Sequence, residues 1–206
     1  MKVLIVYYSL YGHTYQLARA AEKGVASVPG VEVVFRRVQE FDSVLQATAQ
    51  SQHASQLRDQ MKDIPICTNN DLRQADGVLF GSPTRYGNMT AQMKLLIDGT
   101  ADLWMKGEME GKPAGVFTST ATTHGGQETT LLTMMVPLLH LGMLIVGLPY
   151  SLPQMIHTDG RGGTPYGATS IAGPRGELQP KPEDLQLAEA LGKRVAEITQ
   201  KVRGQK

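Results

Sequence analysis

The chain has 206 residues, 41% of them hydrophobic and 19% charged, a length that buries roughly 70% of its unfolded surface in one core. Lys and Arg number 20 against 19 Asp and Glu, so a formal charge of +1 gives no electrostatic footprint for a nucleic acid or an anionic membrane. The single cysteine, Cys67, excludes an intrachain disulfide and a thiolate metal cage, and is read as a reduced cytoplasmic thiol.

Strands and helices alternate along the chain. Residues 2–8 (KVLIVYY) form a continuous apolar run of the kind a strand shows when both its faces are covered. Helical spacing follows over 15–28 and ends at Pro29-Gly30. A second strand is predicted at 31–38, then a Gln- and Ser-rich stretch, 41–63, that reads as a surface excursion of weak helical period with no assignable chemistry. A short helix over 70–75 precedes a third strand at 77–82, and residues 90–104 carry Met93, Leu96, Ile97 and Leu103 at helical spacing, with a helix end expected near Gly99 or Gly107. The fourth strand is expected at 114–119, a helix at 128–141 and the fifth strand at 143–148. The apolar stretch 131–148 is too broken by Pro137, His140, Gly142 and Gly147 to span a membrane. No signal peptide is predicted either, since the N-terminal apolar run is too short for one. The Gly- and Pro-rich segment 149–177 is expected to be an ordered lid or a subunit contact. A last helix starts at Pro182-Glu183-Asp184, residues suited to a first helical turn.

This alternation predicts one α/β domain over residues 1–206, a five-stranded parallel sheet with helices on both faces. Ligands of such sheets lie beyond the carboxyl ends of the strands, so the loops after strands one, three and four carry the information. The first, Ser9-Leu10-Tyr11-Gly12-His13-Thr14, is neither GxGxxG nor a P-loop. It offers hydroxyls at both ends, a glycine, and a helix start whose N–H groups can hold one phosphate, as a mononucleotide requires. The competing reading is that Thr14 merely caps the first helix. The other two loops, Ser82–Met89 and Ser119–Glu128, are also built from small polar residues, and three such loops at one crevice favour a bound cofactor over three unrelated turns. Their amides and hydroxyls can meet the polar edge of an isoalloxazine ring while Tyr86 packs its flat part. The histidines show no metal-ligand spacing and there is no GxSxG elbow, so neither a metal site nor a serine hydrolase is expected.

Four motifs in this order, YYSxYGHT, GSPTRYGNM, FTST with GGQETT, and GGTPYGATSIAG, resemble the WrbA family of flavodoxin-like NAD(P)H:quinone oxidoreductases over essentially the whole chain. The resemblance implies FMN held by Ser9, Leu10, Tyr11, Gly12, His13 and Thr14. It also implies contacts from Thr84, Arg85 and Tyr86, with Gly87 and Asn88 adjoining, and from Ser119, Thr120, Ala121, Thr122, Thr123, His124 and Gly125. His140 would border the flavin, Trp104 the substrate, and Tyr11 the nicotinamide nucleotide. The loop after strand four is one residue longer than in STGTGGGQE-type members, leaving open which of Thr122, Thr123 and His124 meets the flavin. His140-Leu141 stands where the family often has two histidines. Also implied are a cytoplasmic homotetramer and a ping-pong relay in which NADH or NADPH and then a quinone use one site, with no obligate side-chain acid or base. The alternative is a flavodoxin-type electron carrier, disfavoured because such carriers are strongly acidic and need no long Gly/Pro loop. A DNA-binding regulatory role has no support in a chain without a basic face.

Overall fold

In the computed structural model, which describes residues 1–204, a single twisted sheet forms the middle layer. Its strands are β1 (Lys2–Tyr7), β2 (Glu32–Arg37), β3 (Gly77–Pro83), β4 (Pro113–Thr120), β5 (Leu144–Ile145), β6 (Gly163–Thr164) and β7 (Gly167–Ile171). The helices are α1 (His13–Ala26), α2 (Asp42–Ala47), α3 (Gln52–Met61), α4 (Asn69–Gln74), α5 (Ala91–Asp98), α6 (Ala101–Met105), α7 (Gln127–His140) and α8 (Pro182–Arg203). The spatial order is β2-β1-β3-β4-β7-β6, with β5 also on β4, and every pair except β6–β7 is parallel. This is the flavodoxin-like arrangement.

The strands are apolar without alternation because both faces are covered. Val3, Ile5 and Tyr7 pack with α1 and α8 on one side, against Leu17, Ala21, Leu191 and Val195. Leu4, Val6 and Phe80 face the other side, against Met93 and Leu103 of α5 and α6 and Leu131 and Met134 of α7. No helix among the described residues is long and apolar enough to cross a membrane.

One expectation is corrected. The fifth strand is not the run 143–148. Its place is shared by β5, paired with Pro113 and Ala114, and β7, paired with Phe117–Thr120 further up the same strand. Between them the chain leaves the sheet, because Gly147 and Pro149 interrupt the run, and its neck closes where the Leu148 N–H donates to the Pro165 carbonyl at 3.0 Å. The segment 149–177 is accordingly part strand, with β6 turning antiparallel onto β7. The stretch 41–63 is the largely exposed excursion of weak helical period that was expected, made of α2 and α3; α3 buries Ala54, Leu57 and Met61, the last two against the α1 side of the core. The helical spacing over 90–104, with an end expected near Gly99 or Gly107, belongs to two helices, the first ending at Gly99.

Two helices set the thickness of one layer. α1 and α8 approach backbone to backbone at Gly24 and Gly192, where an added Cβ would collide with the Glu189 and Ala21 carbonyls respectively. Gly192→Val is expected to lower stability by about 3 kcal/mol, as overpacking against rigid backbone does. Urea unfolding of the two proteins measures it.

Candidate functional site

The exit loops of β1, β3 and β4 enclose a cavity of about 300 Å³ at the carboxyl edge of the sheet. Ser9, Leu10, Tyr11, His13 and Thr14 line it from the first loop, Thr84 and Arg85 from the second, and Ser119, Thr120 and Ala121 from the third. In the first loop Gly12 has φ 96°, a conformation glycine adopts without strain, and its N–H donates to Ser9 Oγ at 3.1 Å. The cap of α1 is therefore Gly12, not Thr14. It carries no side-chain acceptor, and no acidic residue stands in the first turn. The first amides of α1 are thus left for an anion at the positive end of the helix dipole.

The second loop is fixed from below. Ser82 is buried; its Oγ accepts from the Thr90 N–H at 2.9 Å, and its carbonyl accepts from Thr118 Oγ1 at 2.7 Å. Thr84 N–H donates to the Ser119 carbonyl at 2.9 Å, joining the second loop to the third. Arg85 and Asn88 exchange backbone hydrogen bonds at 2.7 and 3.1 Å around Tyr86 (φ 55°) and Gly87 (φ 78°), both central residues lying in the left-handed region. Tyr86 is the one described non-glycine residue with positive φ, and the turn projects its ring fully into solvent. Within one chain Tyr86 lies outside the lining, as do Gly87 and Asn88 of the same turn.

In the third loop Thr120 Oγ1 donates to the Thr122 carbonyl at 2.8 Å and turns the chain. Thr122, Thr123, His124 and Gly125 consequently lie outside the lining, three of them exposed. His140 is exposed at the far end of α7, about 20 Å from the helix start at the crevice by the rise of 14 residues. Trp104, 58% exposed, lies on α6 beside α4, where Asn69 Nδ2 donates to the Gly99 carbonyl at 2.7 Å. Within one chain neither His140 nor Trp104 reaches the cavity.

A fourth wall comes from the end of the Gly- and Pro-rich segment 149–177, expected to be a lid or a subunit contact. Ala172, Gly173, Pro174, Arg175 and Gly176, just past β7, line the cavity, as does Pro83. The Ala172 N–H donates to the Thr120 carbonyl at 2.7 Å and the Leu178 N–H to the Ala172 carbonyl at 2.9 Å. His13 Nε2 donates to the Leu178 carbonyl at 2.7 Å, tying this wall to the first loop. Recognising 167–171 as a strand would have revealed the wall. The donor set, a bare helix start with hydroxyls and no lining carboxylate, fits the phosphate and polar edge of a flavin mononucleotide.

The chain matches, over residues 1–155, a family described as NADPH-dependent FMN reductase. It is 49% identical to an "NAD(P)H dehydrogenase (quinone)" of Syntrophobacter fumaroxidans, covering 98% of each chain. The protein of that name from Geobacter sulfurreducens is 48% identical over 99% of this chain and all of its own length. A WrbA-like flavodoxin from Agrobacterium tumefaciens superposes with TM-score 0.64 at 22% identity, covering 97% of this chain and 98% of that one. Oxidised flavodoxin 2 of Bacillus cereus gives 0.61 at 16% identity, over 96% and 99%. The two structures share the fold.

Burial pushes the His13 imidazole below its ordinary value of 6.5. Just below that pH the unfolded chain binds the proton and the folded chain does not, so stability falls on acidification. The urea midpoint of the wild type is expected to drop more between about pH 7.5 and pH 5.5 than that of His13→Gln.

Proposed function

Because the chain belongs to the WrbA family of flavodoxin-like, FMN-dependent NAD(P)H:quinone oxidoreductases, we propose that it reduces quinones by two electrons in a ping-pong cycle. The observation that carries this reading is the one cavity at the convergence of three strand ends, walled by hydroxyls and amides and lacking a carboxylate. Bound there, FMN supplies the group that accepts hydride from the nicotinamide and passes it to the quinone.

The chain's own residues bind, orient and shield. The α1 start with Ser9 and Thr14 takes the phosphate. Thr84, Arg85, Ser119, Thr120 and Ala121 set the ring in one orientation, and the wall 172–176 limits the access of water. Tyr11, 47% exposed at the mouth, offers a face for the nicotinamide nucleotide. Neutral His13 donates its Nε2 proton to the Leu178 carbonyl and holds the wall in place rather than transferring that proton. No side chain is assigned as an obligate acid or base. A cytoplasmic setting suits diffusible nucleotides and a lone thiol, Cys67, that is buried and pushed up to about 12 by burial.

The assembly is a homotetramer in this reading. α7 buries Leu131, Met134, Met135 and Leu138 while Leu132, Val136 and Leu139 form a second, outward apolar stripe. Exposed Leu95, Trp104 and Met105 add to it on the same side of the sheet. Apolar surface of this kind marks an interface. Burying it brings His140 and Trp104 of one copy toward another copy's cavity, which gives those two residues the role that a single chain denies them.

Steady-state oxidation of NADH at several fixed concentrations of 1,4-benzoquinone should give parallel double-reciprocal lines, with hydroquinone as product. Intersecting lines would mean a ternary complex and two separate sites. Val136→Glu should yield a smaller species by light scattering and lose most quinone turnover; a tetramer, or a fully active monomer, would contradict the assembly.

A further inference from the structure

A second cavity, about 320 Å³, opens on the other side of the Ser9–Leu10 turn, between the ends of β1 and β2 and the helices α2 and α3. It shares Ser9 and Leu10 with the flavin cavity, so the two adjoin across a single turn. Val38, Leu45 and Met61 give it an apolar floor.

Its charges are unbalanced. Arg37, Arg58 and Lys62 line it, and among the described residues none of the three has a carboxylate within ion-pair distance. Arg37 spends Nε on the Ile64 carbonyl and Arg58 spends one terminal nitrogen on Thr48 Oγ1, leaving donors of both guanidinium forks free. Of the two acids present, Glu40 is already engaged. It accepts from Tyr8 Oη at 2.7 Å, Gln92 Nε2 at 2.6 Å and the Phe41 N–H at 2.9 Å. Asp59 is exposed.

The second observation is Tyr7, which also lines the cavity. Its ring is held between Tyr15 and Phe35, at 5.7 and 5.2 Å between centroids, and the residue is fully buried. Its hydroxyl nevertheless has no hydrogen-bond partner. A buried hydroxyl without a partner is costly, so the wall of the cavity holds an unmet polar group.

We propose that this cavity binds a ribose phosphate monoester, in the working enzyme the 2′-phosphate at the adenosine end of NADPH, with Arg37, Arg58 and Lys62 as its cations. A monoester carries nearly two negative charges at neutral pH and so matches a surplus of unpaired cations better than an uncharged ribose does. The identification of the ligand as NADPH rests on the quinone-reductase reading; the phosphate site does not. The Gln-rich segment around α3 thereby acquires a role, since it supplies Arg58 and Lys62.

Calorimetry on the FMN-loaded protein tests the site with two probes, adenosine 2′,5′-bisphosphate and adenosine 5′-monophosphate. The bisphosphate is expected to bind about tenfold tighter, the size of one charge-assisted hydrogen bond. The double variant Arg58→Ala, Lys62→Ala should erase that gap and raise the ratio of KM for NADPH to KM for NADH by a similar factor. Equal binding of the two probes by the wild type, or a gap that survives the double variant, would overturn the site. If the gap is present but neither nucleotide supports benzoquinone reduction, the phosphate site stands and the quinone-reductase reading falls.

Discussion

A small lattice of buried hydroxyl and carbonyl groups at the tips of β3 and β4 fixes everything above the sheet. Ser82 binds the Thr90 amide through its side chain and Thr118 through its carbonyl, and Thr84 is held between the Ser119 carbonyl and Thr130 Oγ1, the latter at 2.8 Å. These groups sit at the boundary between hydrocarbon core and open crevice, where an unmade hydrogen bond costs more than a made one gains. Their demands therefore lock two loops, the start of α5 and the first turn of α7 into one rigid rim. The left-handed turn at Tyr86 and Gly87 is tolerated because its flanks are pinned in this way.

The cavity differs from most enzyme sites in what it omits. Its lining has donors in quantity and no carboxylate, and its one histidine is kept neutral by burial and committed to a backbone carbonyl. Chemistry that needs a tuned acid and base has no place to start there. A protein of this design contributes a fixed electrostatic surface and a shape, leaving reactivity to the bound group. The same bias toward positive potential continues through Arg85 and Arg175 at the mouth and into the neighbouring cavity.

Much of this was legible in the sequence, and the failures have physical causes. β1, β3 and β4 announced themselves because burial on both faces forces an unbroken apolar run. Their exit loops then followed from the rule that parallel strands end at one edge, which placed Ser9, Thr14, Thr84, Ser119 and Thr120 correctly at one crevice. β7 was missed because GATSI is small and weakly β-forming. It is a strand only because β4 offers it four partners, a tertiary cause no local window contains. α3 showed only as a weak helical period because three buried residues among glutamines make a faint stripe. His140 and Trp104 came from family likeness alone, and a single sequence does not say whose cavity a residue serves.

The divided fifth strand position has a consequence for what this architecture can absorb. Ala114 pairs with Ile145, closing 145 − 114 = 31 residues, and Phe117 pairs with Ala168, closing 168 − 117 = 51. Loop closure costs only about 0.6 kcal/mol for each doubling of length, so lengthening the connection by this amount is nearly neutral in equilibrium terms. Each half of the strand is anchored by its own ladder. The intervening segment is thus a docking bay for added chain, able to lengthen, shrink or change composition while the edge of the sheet keeps its register. Novelty can enter the fold there without disturbing the crevice that the last residues of the excursion help to wall.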